Sequence, residues 1–472
     1  MTMNKNLPIV AIVGRTNVGK SSLFNRIIKK REAIVADMPG TTRDSIFAVA
    51  EFNGSNFWLV DTAGLKEAED DFEATIQEQI EEAAAAADII LVVTEAGTQV
   101  SEDDRKVAKK AIKSGKPTIL LVNKIDTNAK EELNRWRQLG IENVIGTSAT
   151  QGIGIKDALS LVTEKIPKKR HRADSGSISI ALVGRPNVGK SYLFNTLSEK
   201  QQAIVSGVAG TTRDINRVSV KFKGKTINLL DTAGIRRSGK IERGVEKFSV
   251  LRTLQAIEES DVCLLVMDVA ELNTGLDQKI ASMVAESGKG LILTVSKWDT
   301  AVAKLNMQKD ALSDETNEQV GEPENKPESD PFLRDKLASE IAAEFQFVAW
   351  AQLIFTSSVT GQNVTKIFSL VEDIMARRAQ QVPTTKLNKV FERALKKHGA
   401  VSAKNIRPRV RYAVQSDTNP PWFKVFGTHL GLLHWSTKRQ LEKALRAEVD
   451  YSGTPIKFSF YNSSSGRGNK KI

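Results

Sequence analysis

The chain has 472 residues, 40% hydrophobic and 26% charged, with a formal net charge of +12. That length predicts about three domains, each able to bury a core. The composition also excludes several classes. A lone cysteine, Cys263 in an apolar run, rules out a disulfide framework and reads as a buried, inert thiol. No apolar run approaches the ~18 residues of a membrane span, and residues 1–8 carry no targeting pattern. The expectation is a cytoplasmic protein with no membrane partner.

The positive charge is concentrated at one end. Residues 377–472 hold 20 Lys and Arg against 5 Asp and Glu, whereas residues 1–376 hold 48 against 51. Solvated lysine-rich faces are common, but localisation this strong predicts a polyanionic partner for the last fifth of the chain. Nucleic acid is the usual one.

In chain order, the apolar run Ile9–Val13 predicts a strand. It leads into Gly14-Arg15-Thr16-Asn17-Val18-Gly19-Lys20-Ser21, and then into Leu23–Ile28 at helical spacing. Strand, glycine loop and helix is the context a phosphate loop needs. The glycines let backbone N–H groups turn inward, Lys20 can reach the β- and γ-phosphates, and the Ser21 hydroxyl can ligate Mg²⁺. The helix N-terminus adds partial positive charge at the same place. Further apolar runs at Phe57–Val60, Ile89–Val93, Thr118–Val122 and Val144–Gly146 alternate with helical patterns. They predict an α/β fold, a mostly parallel sheet covered by helices on both faces.

Several of the motifs lie just after the C-terminal ends of these strands, where open α/β sheets bind ligands. Thr41-Thr42-Arg43-Asp44 offers a threonine to Mg²⁺, and Thr42 is favoured of the two. Asp61-Thr62-Ala63-Gly64 offers a carboxylate to a Mg²⁺-bound water and the Gly64 N–H to a γ-phosphate. In Asn123-Lys124-Ile125-Asp126, Asp126 can accept two hydrogen bonds from the N1–H and N2–H₂ edge of guanine, an edge adenine lacks. Ser148-Ala149 would supply backbone contacts to the base.

The whole series then repeats. Gly184-Arg185-Pro186-Asn187-Val188-Gly189-Lys190-Ser191, Thr211-Thr212-Arg213-Asp214 and Asp231-Thr232-Ala233-Gly234 lie 170 residues after their counterparts. Ser296-Lys297-Trp298-Asp299 lies 173 after, with Ser357-Ser358 as the altered base loop. A period of domain size means two copies of one domain and not a solenoid. Predicted boundaries are a first domain over 1–166, a linker at 167–177 and a second domain over 178–377. The second contains an acidic insertion at about 300–331, read as disordered. After it, Leu387–Leu395 has helical spacing and Val410, Tyr412 and Val414 alternate. Phe423 and Val425 suggest another strand, Leu441–Val449 an amphipathic helix with Ser436 as its N-cap, and Ile456–Phe460 a last strand. The order α-β-β-α-β predicts a small α+β domain over 378–462, with 463–472 a disordered basic tail.

These motifs, twice over and followed by a basic α+β domain, resemble the bacterial double-Era GTPase family, called Der or EngA, from about Pro8 to Phe460. The resemblance implies P-loop G domains, a KH-like third domain, GTP hydrolysed to GDP and phosphate, and a role in maturing the large ribosomal subunit. Its partners would be that subunit's precursors, rRNA and ribosomal proteins, met by a monomer. No Gly-x-x-Gly loop, which KH domains use to clamp RNA, occurs between Arg378 and Tyr461. Asn17 and Asn187 match the asparagine that related potassium-stimulated GTPases use to hold K⁺. The expected catalytic groups are therefore Asn17, Lys20, Thr42 and Gly64, then Asn187, Lys190, Thr212 and Gly234. Ser21, Thr42 and Asp61, then Ser191, Thr212 and Asp231, would serve Mg²⁺. Leu65 and Ile235 follow the Asp-Thr-Ala-Gly motifs and cannot orient water as a glutamine would.

The second copy departs from the pattern at Tyr192, Ser296 and Ser358. An asparagine at 296 would tie the base loop to the phosphate loop, and a serine is too short to span both. Weaker GTP binding at the second site is the expectation, with Asp299 keeping some guanine preference and Ser357 contacting the base. An alternative function stays open: an RNA- or ribosome-binding scaffold whose second G domain is a weak or non-hydrolysing module.

Overall fold

The computed structural model describes residues 7–29, 47–62, 76–125, 129–167, 176–199, 216–231, 249–304, 307, 331–398, 408–462 and 470–471. Its first sheet is built by β1 (Ile9–Gly14), α1 (Lys20–Lys29), β2 (Phe47–Phe52), β3 (Ser55–Asp61), α2 (Ile76–Ala86), β4 (Ile89–Glu95), α3 (Glu102–Lys113), β5 (Thr118–Asn123), α4 (Ala129–Arg137), β6 (Asn143–Gly146) and α5 (Ile155–Lys165). The strand order is β2-β3-β1-β4-β5-β6. All neighbours are parallel except β2 and β3. Every residue of β1 is buried, which is why the predicted strands read as continuous apolar runs. The antiparallel β2 is an addition to the sequence reading. Asn53 (φ 50°) and Gly54 (φ 77°) form its two-residue hairpin, and the Asn-Gly pair is the signal for it.

The second copy supplies β7 (Ser177–Val183), α6 (Lys190–Glu199), β8 (Asn216–Phe222), β9 (Lys225–Asp231), α7 (Val250–Glu259), β10 (Val262–Asp268), α8 (Gly275–Ser287), β11 (Gly290–Ser296), α9 (Pro331–Glu344), β12 (Gln352–Phe355) and α10 (Lys366–Arg378). The sheet order, β12-β11-β10-β7-β9-β8, repeats that of the first. Cys263 is buried on β10, as expected. By packing, the chain divides into two compact units, and α7 groups with the first copy rather than with its own sheet. The Glu258 carboxylate on α7 explains this: it accepts from Trp58 Nε1 at 2.7 Å and from the Leu7 backbone N–H at 3.0 Å.

Of the acidic insertion, 301–304 continue a helix begun at Trp298, and α9 starts at Pro331. Residues 308–330 lie outside the described residues, and so does the predicted linker from 168 to 175.

The last part of the chain folds as α11 (Thr384–His398), β13 (Arg409–Thr418), β14 (Pro421–Thr428), α12 (Trp435–Glu448), β15 (Lys457–Asn462) and β16 (Lys470–Lys471). The expected α-β-β-α-β order is present, in a sheet β13-β14-β15-β16 whose β14 and β15 run parallel. Leu387, Phe391, Leu441 and Leu445 close a core with Phe423, Val425 and Phe460. Two details differ from expectation. The N-cap of α12 is His434, which accepts from the Ser436 N–H through Nδ1, while Ser436 Oγ bonds the same ring. The tail is not wholly unstructured, because Lys470 and Lys471 pair antiparallel with Asn462 and Tyr461 and satisfy the free edge of β15. Within this second unit, Arg378 at the end of α10 is fully buried. It donates to Gly288 O (2.9 Å), Thr454 Oγ1 (3.0 Å) and Asn419 Oδ1 (2.9 Å). Burial lowers its pKa to about 10.

Candidate functional site

The phosphate loop begins where β1 ends, and its backbone needs glycine. Gly14 sits at φ 151°, and a Cβ there would lie 2.3 Å from Val93 O. Gly184 repeats this at φ 148°, 2.5 Å from Val266 O. Asn17 (φ 65°) and Asn187 (φ 62°) hold the left-handed turn of each loop, a conformation asparagine tolerates better than other side chains. The structure does not bring their side chains to any described partner group, while their carbonyls accept from Lys124 Nζ (2.9 Å) and Lys297 Nζ (3.1 Å). Lys20 and Lys190 are each 4% exposed. Lys20 Nζ donates to Gly14 O (2.8 Å) and Arg15 O (2.5 Å), and Lys190 Nζ to Arg185 O (2.6 Å), so both ammonium groups lie inside their loops.

The Ser21 hydroxyl donates to Asp61 Oδ2 at 2.5 Å. A hydroxyl and a carboxylate drawn from motifs 40 residues apart thus meet beside the loop lysine. Two hard oxygen donors suit Mg²⁺. Asp231 is likewise buried at the end of β9. Thr62 has another role than phosphate contact, since its Oγ1 donates to Ile12 O at 2.8 Å and pins the strand end. Thr42, Ala63, Gly64, Leu65, Asp126, Thr212, Thr232, Ala233, Gly234 and Ile235 lie outside the described residues.

The base-recognition end differs between copies. Asn123 Nδ2 donates to Val18 O (2.9 Å) while its Oδ1 accepts from Ala149 N (3.2 Å), so one side chain ties the phosphate loop to the base loop. Ser296 Oγ lies 2.6 Å from Val188 O and 3.0 Å from Met267 O. The serine keeps the bond to the phosphate loop and spends its proton there, with no described bond to the 357–358 loop. The expectation that serine cannot span both loops holds, but the phosphate loop itself is not released. Val18, Val188, Ile125 and Trp298 are buried, and Trp298 packs edge-on against Phe355 at 4.8 Å. Their side chains belong to the core, and what they lend the site is backbone. Ser148 and Ser357 are buried loop formers that donate N–H to Ile153 O and Gln362 O.

Four positioning carboxylates escaped the sequence reading. Arg15 pairs with Asp104 at 2.9 Å and Arg185 with Asp277 at 3.2 Å. Lys124 pairs with Glu95 at 2.8 Å and Lys297 with Asp268 at 2.6 Å. All four carboxylates recur at the 173-residue offset of the base motif (Asp104 and Asp277, Glu95 and Asp268), a signal available in the sequence. Asp104 and Asp277 each stand three residues after a helix-capping Ser101 or Thr274, so one carboxylate starts a helix and fixes a loop arginine. Burial pushes the Asp277 carboxyl above its usual range against the pull of Arg185. At Asp268 burial acts in the same direction, but the Lys297 hydrogen bond and the Ala270 N–H outweigh it and hold the carboxyl low.

Comparison with known proteins agrees with this geometry. The family described as "50S ribosome-binding GTPase" matches residues 9–124 and again 179–297, and "KH-domain-like of EngA bacterial GTPase enzymes, C-terminal" matches 381–460. GTPase Der of Chloroflexus aggregans is 40% identical over 463 residues, 96% of this chain and 97% of that protein. The chain belongs to the GTPase Der family. GTPase Der of Thermomicrobium roseum is 37% identical over 96% of each chain, and that of Alkaliphilus oremlandii 38% identical over 96% of this chain and 97% of its own. The chain is accordingly a GTPase with two P-loop G-domain repeats and a KH-like C-terminal domain. Among the described residues no helix is long and apolar enough to cross a membrane.

Proposed function

We propose that the chain is a Mg²⁺-dependent, K⁺-stimulated GTPase that assists assembly of the large ribosomal subunit as a cytoplasmic monomer. Its working parts are the first G domain (1–166), the second (178–377) and the KH-like domain (378–462). The observation that carries the reading is the Ser21–Asp61 contact beside Lys20, in a loop that Asn123 ties to the base loop. Phosphoryl transfer to water needs no protein nucleophile, only positioning and charge neutralisation. Lys20 and the inward backbone amides take up charge on the β- and γ-phosphates. Ser21 and Asp61 would hold Mg²⁺ with Thr42, and the bound ion would supply positive charge to the phosphates. Gly64 offers its N–H to the γ-phosphate, and Asp126 reads guanine. Leu65 leaves the attacking water without a side-chain partner, so positive charge held by Asn17 is assigned to K⁺.

The second site repeats these roles through Asn187, Lys190, Ser191, Thr212, Asp231, Gly234 and Asp299. Ser296 favours a second reading for this copy alone, a nucleotide module that binds more weakly and need not hydrolyse. The basic last fifth of the chain supports rRNA as partner. The test is GTP hydrolysis with and without large ribosomal subunits, in K⁺ or Na⁺. Faster turnover with subunits and in K⁺ is expected. Turnover indifferent to subunits, with no co-sedimentation, sinks the assembly role, and equal rates in both salts sink the K⁺ site.

A further inference from the structure

The four-stranded sheet of the KH-like domain has two unlike faces. Ala413, Phe423, Val425, Phe458 and Phe460 point at the helices and form the core. The other face carries Tyr412, Phe426 and Tyr461 in register across β13, β14 and β15. Their rings stack face to face, Tyr412 on Phe426 at 4.6 Å and 12°, Phe426 on Tyr461 at 5.2 Å and 20°. Neighbouring strands lie about 4.8 Å apart, so rings standing upright on adjacent strands must stack in this way. The column's inner faces are filled by one another. It ends on β13, an edge strand, at Tyr412, which is 44% exposed.

The surroundings of that end are basic. Arg411 is the extra residue between the Val410–Gly427 and Tyr412–Phe426 pairs, and Arg409 stands opposite Thr428 on the column's face. Both arginines are exposed. Glycine at 427 permits the close backbone approach opposite the bulge, since a Cβ there would lie 1.9 Å from Arg409 O. Lys424 lies on the same face, one step along β14 from Phe426. The edge of β13 is closed to an added strand, because Asn388 takes the Ala413 N–H at 2.7 Å and donates to the Ala413 carbonyl at 3.0 Å. A peptide extending the sheet is thereby excluded at this point. An open aromatic face beside two exposed strand arginines, neither paired with a carboxylate among the described residues, matches a planar base joined to a phosphodiester.

We infer that Tyr412 is a base-stacking end-plate for single-stranded RNA, with one unpaired base continuing the Tyr412–Phe426–Tyr461 column and Arg409 and Arg411 holding the adjoining phosphates. The inference rests on the proposed RNA partnership and gives it a site other than a Gly-x-x-Gly loop.

The test uses the full chain and fluorescein-labelled oligoadenylate, read by anisotropy, with a duplex RNA and an oligodeoxyadenylate as the other arms. Wild type should bind the single-stranded RNA above both. Tyr412→Ala should weaken binding roughly 5- to 150-fold, the range of one stacked base, while Tyr412→Phe binds as wild type. Arg411→Ala should lower the dependence of affinity on salt by about one phosphate contact. Unchanged GTP hydrolysis in each variant reports intact G domains, and an unchanged circular dichroism spectrum reports an intact fold. Equal binding by Tyr412→Ala and wild type overturns the inference, as does no binding of single-stranded RNA by wild type, or preference for the duplex or for DNA. Co-sedimentation of wild type with large ribosomal subunits is scored separately. Its failure removes the assembly role, whereas subunit binding that survives Tyr412→Ala together with unchanged oligoadenylate binding removes only the end-plate.

Discussion

The two nucleotide sites agree at the phosphate end and part at the base end. Asn17 and Asn187 differ by 3° in φ, both loop arginines meet an aspartate, and both base-motif lysines meet a carboxylate at a strand end. The base end then hangs on one side chain. Asn123 joins two loops, Ser296 holds one. A nucleotide's phosphates are gripped mainly by backbone, which tolerates side-chain drift. Its base is read through a loop that a side chain must position, and there one substitution tells.

The widest separation between the copies should appear in the loop lysines. Lys20→Ala is expected to lower single-turnover GTP hydrolysis about 10²- to 10³-fold, the scale of losing one preorganised charge partner. Lys190→Ala should cost less than about tenfold, if the first site is the hydrolytic engine. Equal losses would break that ranking.

A second contrast lies at the helix after the fourth strand of each sheet. Lys113 near the end of α3 corresponds to Glu286 near the end of α8, each two residues before a left-handed glycine, Gly115 or Gly288. Burial raises Glu286 to about 7, against the opposing pull of Lys457, whose Nζ donates to the Glu286 carbonyl. The folded state therefore binds a proton more tightly than the unfolded chain. Its stabilisation is complete below pH 4.5 and is lost as pH rises through about 7. A loss of at most about 3 kcal/mol follows from a shift of that size. Urea midpoints between those pH values should fall in wild type and flatten in Glu286→Gln.

The third contrast is Glu258, whose counterpart in the first copy is Ala85. Glu258→Ala strips the acceptor from the buried Trp58 indole and from the Leu7 N–H. A cost of about 1–3 kcal/mol is expected for a buried donor left without its acceptor, measured by urea unfolding followed through tryptophan fluorescence. Truncating Ala85→Gly should cost about 1 kcal/mol or less, the helix-propensity loss alone.

How legible all this was depends on whether a feature repeats or is local. The parallel strands of the first sheet announced themselves as apolar runs because helices cover such strands on both faces, and the phosphate loop did so through its glycines, Gly14 above all. The hairpin strand β2 went unread although Phe47–Phe52 carries a single charged residue, Glu51, and the Asn53-Gly54 turn signal follows it. The packing of α7 on the first copy was invisible, because a glutamate in a helix normally reads as solvated and nothing local marks Trp58 as its donor. Asp104 and Asp277 stand three residues after the capping Ser101 and Thr274, a place where an acidic residue is expected for the helix alone. Their second bond, to the loop arginines, spans 89 and 92 residues and needs the fold. Trp298 sat inside a motif yet faces the core, since a strand-to-helix turn points alternate residues inward.

The smallest effect is the sharpest test of the comparison. Because Ser296 still serves Val188 O, no buried carbonyl is abandoned, and only the net worth of one bond to the base loop is missing. That is about 0.5–1.5 kcal/mol, or roughly 2- to 12-fold in GTP affinity. Ser296→Asn should recover it, and the space exists: the nearest atom to a Cβ on Gly189 is Ser296 Oγ at 3.7 Å, whereas Asn123 Nδ2 already fills the equivalent gap at Gly19 to 2.3 Å. The reciprocal Asn123→Ser should weaken the first site by the same factor. Titration of a fluorescent GTP analogue into each variant, with the other site silenced at Lys20 or Lys190, measures both. A Ser296→Asn site no tighter than wild type would place the difference elsewhere in the loop, with Ser358 or Tyr192 next in line.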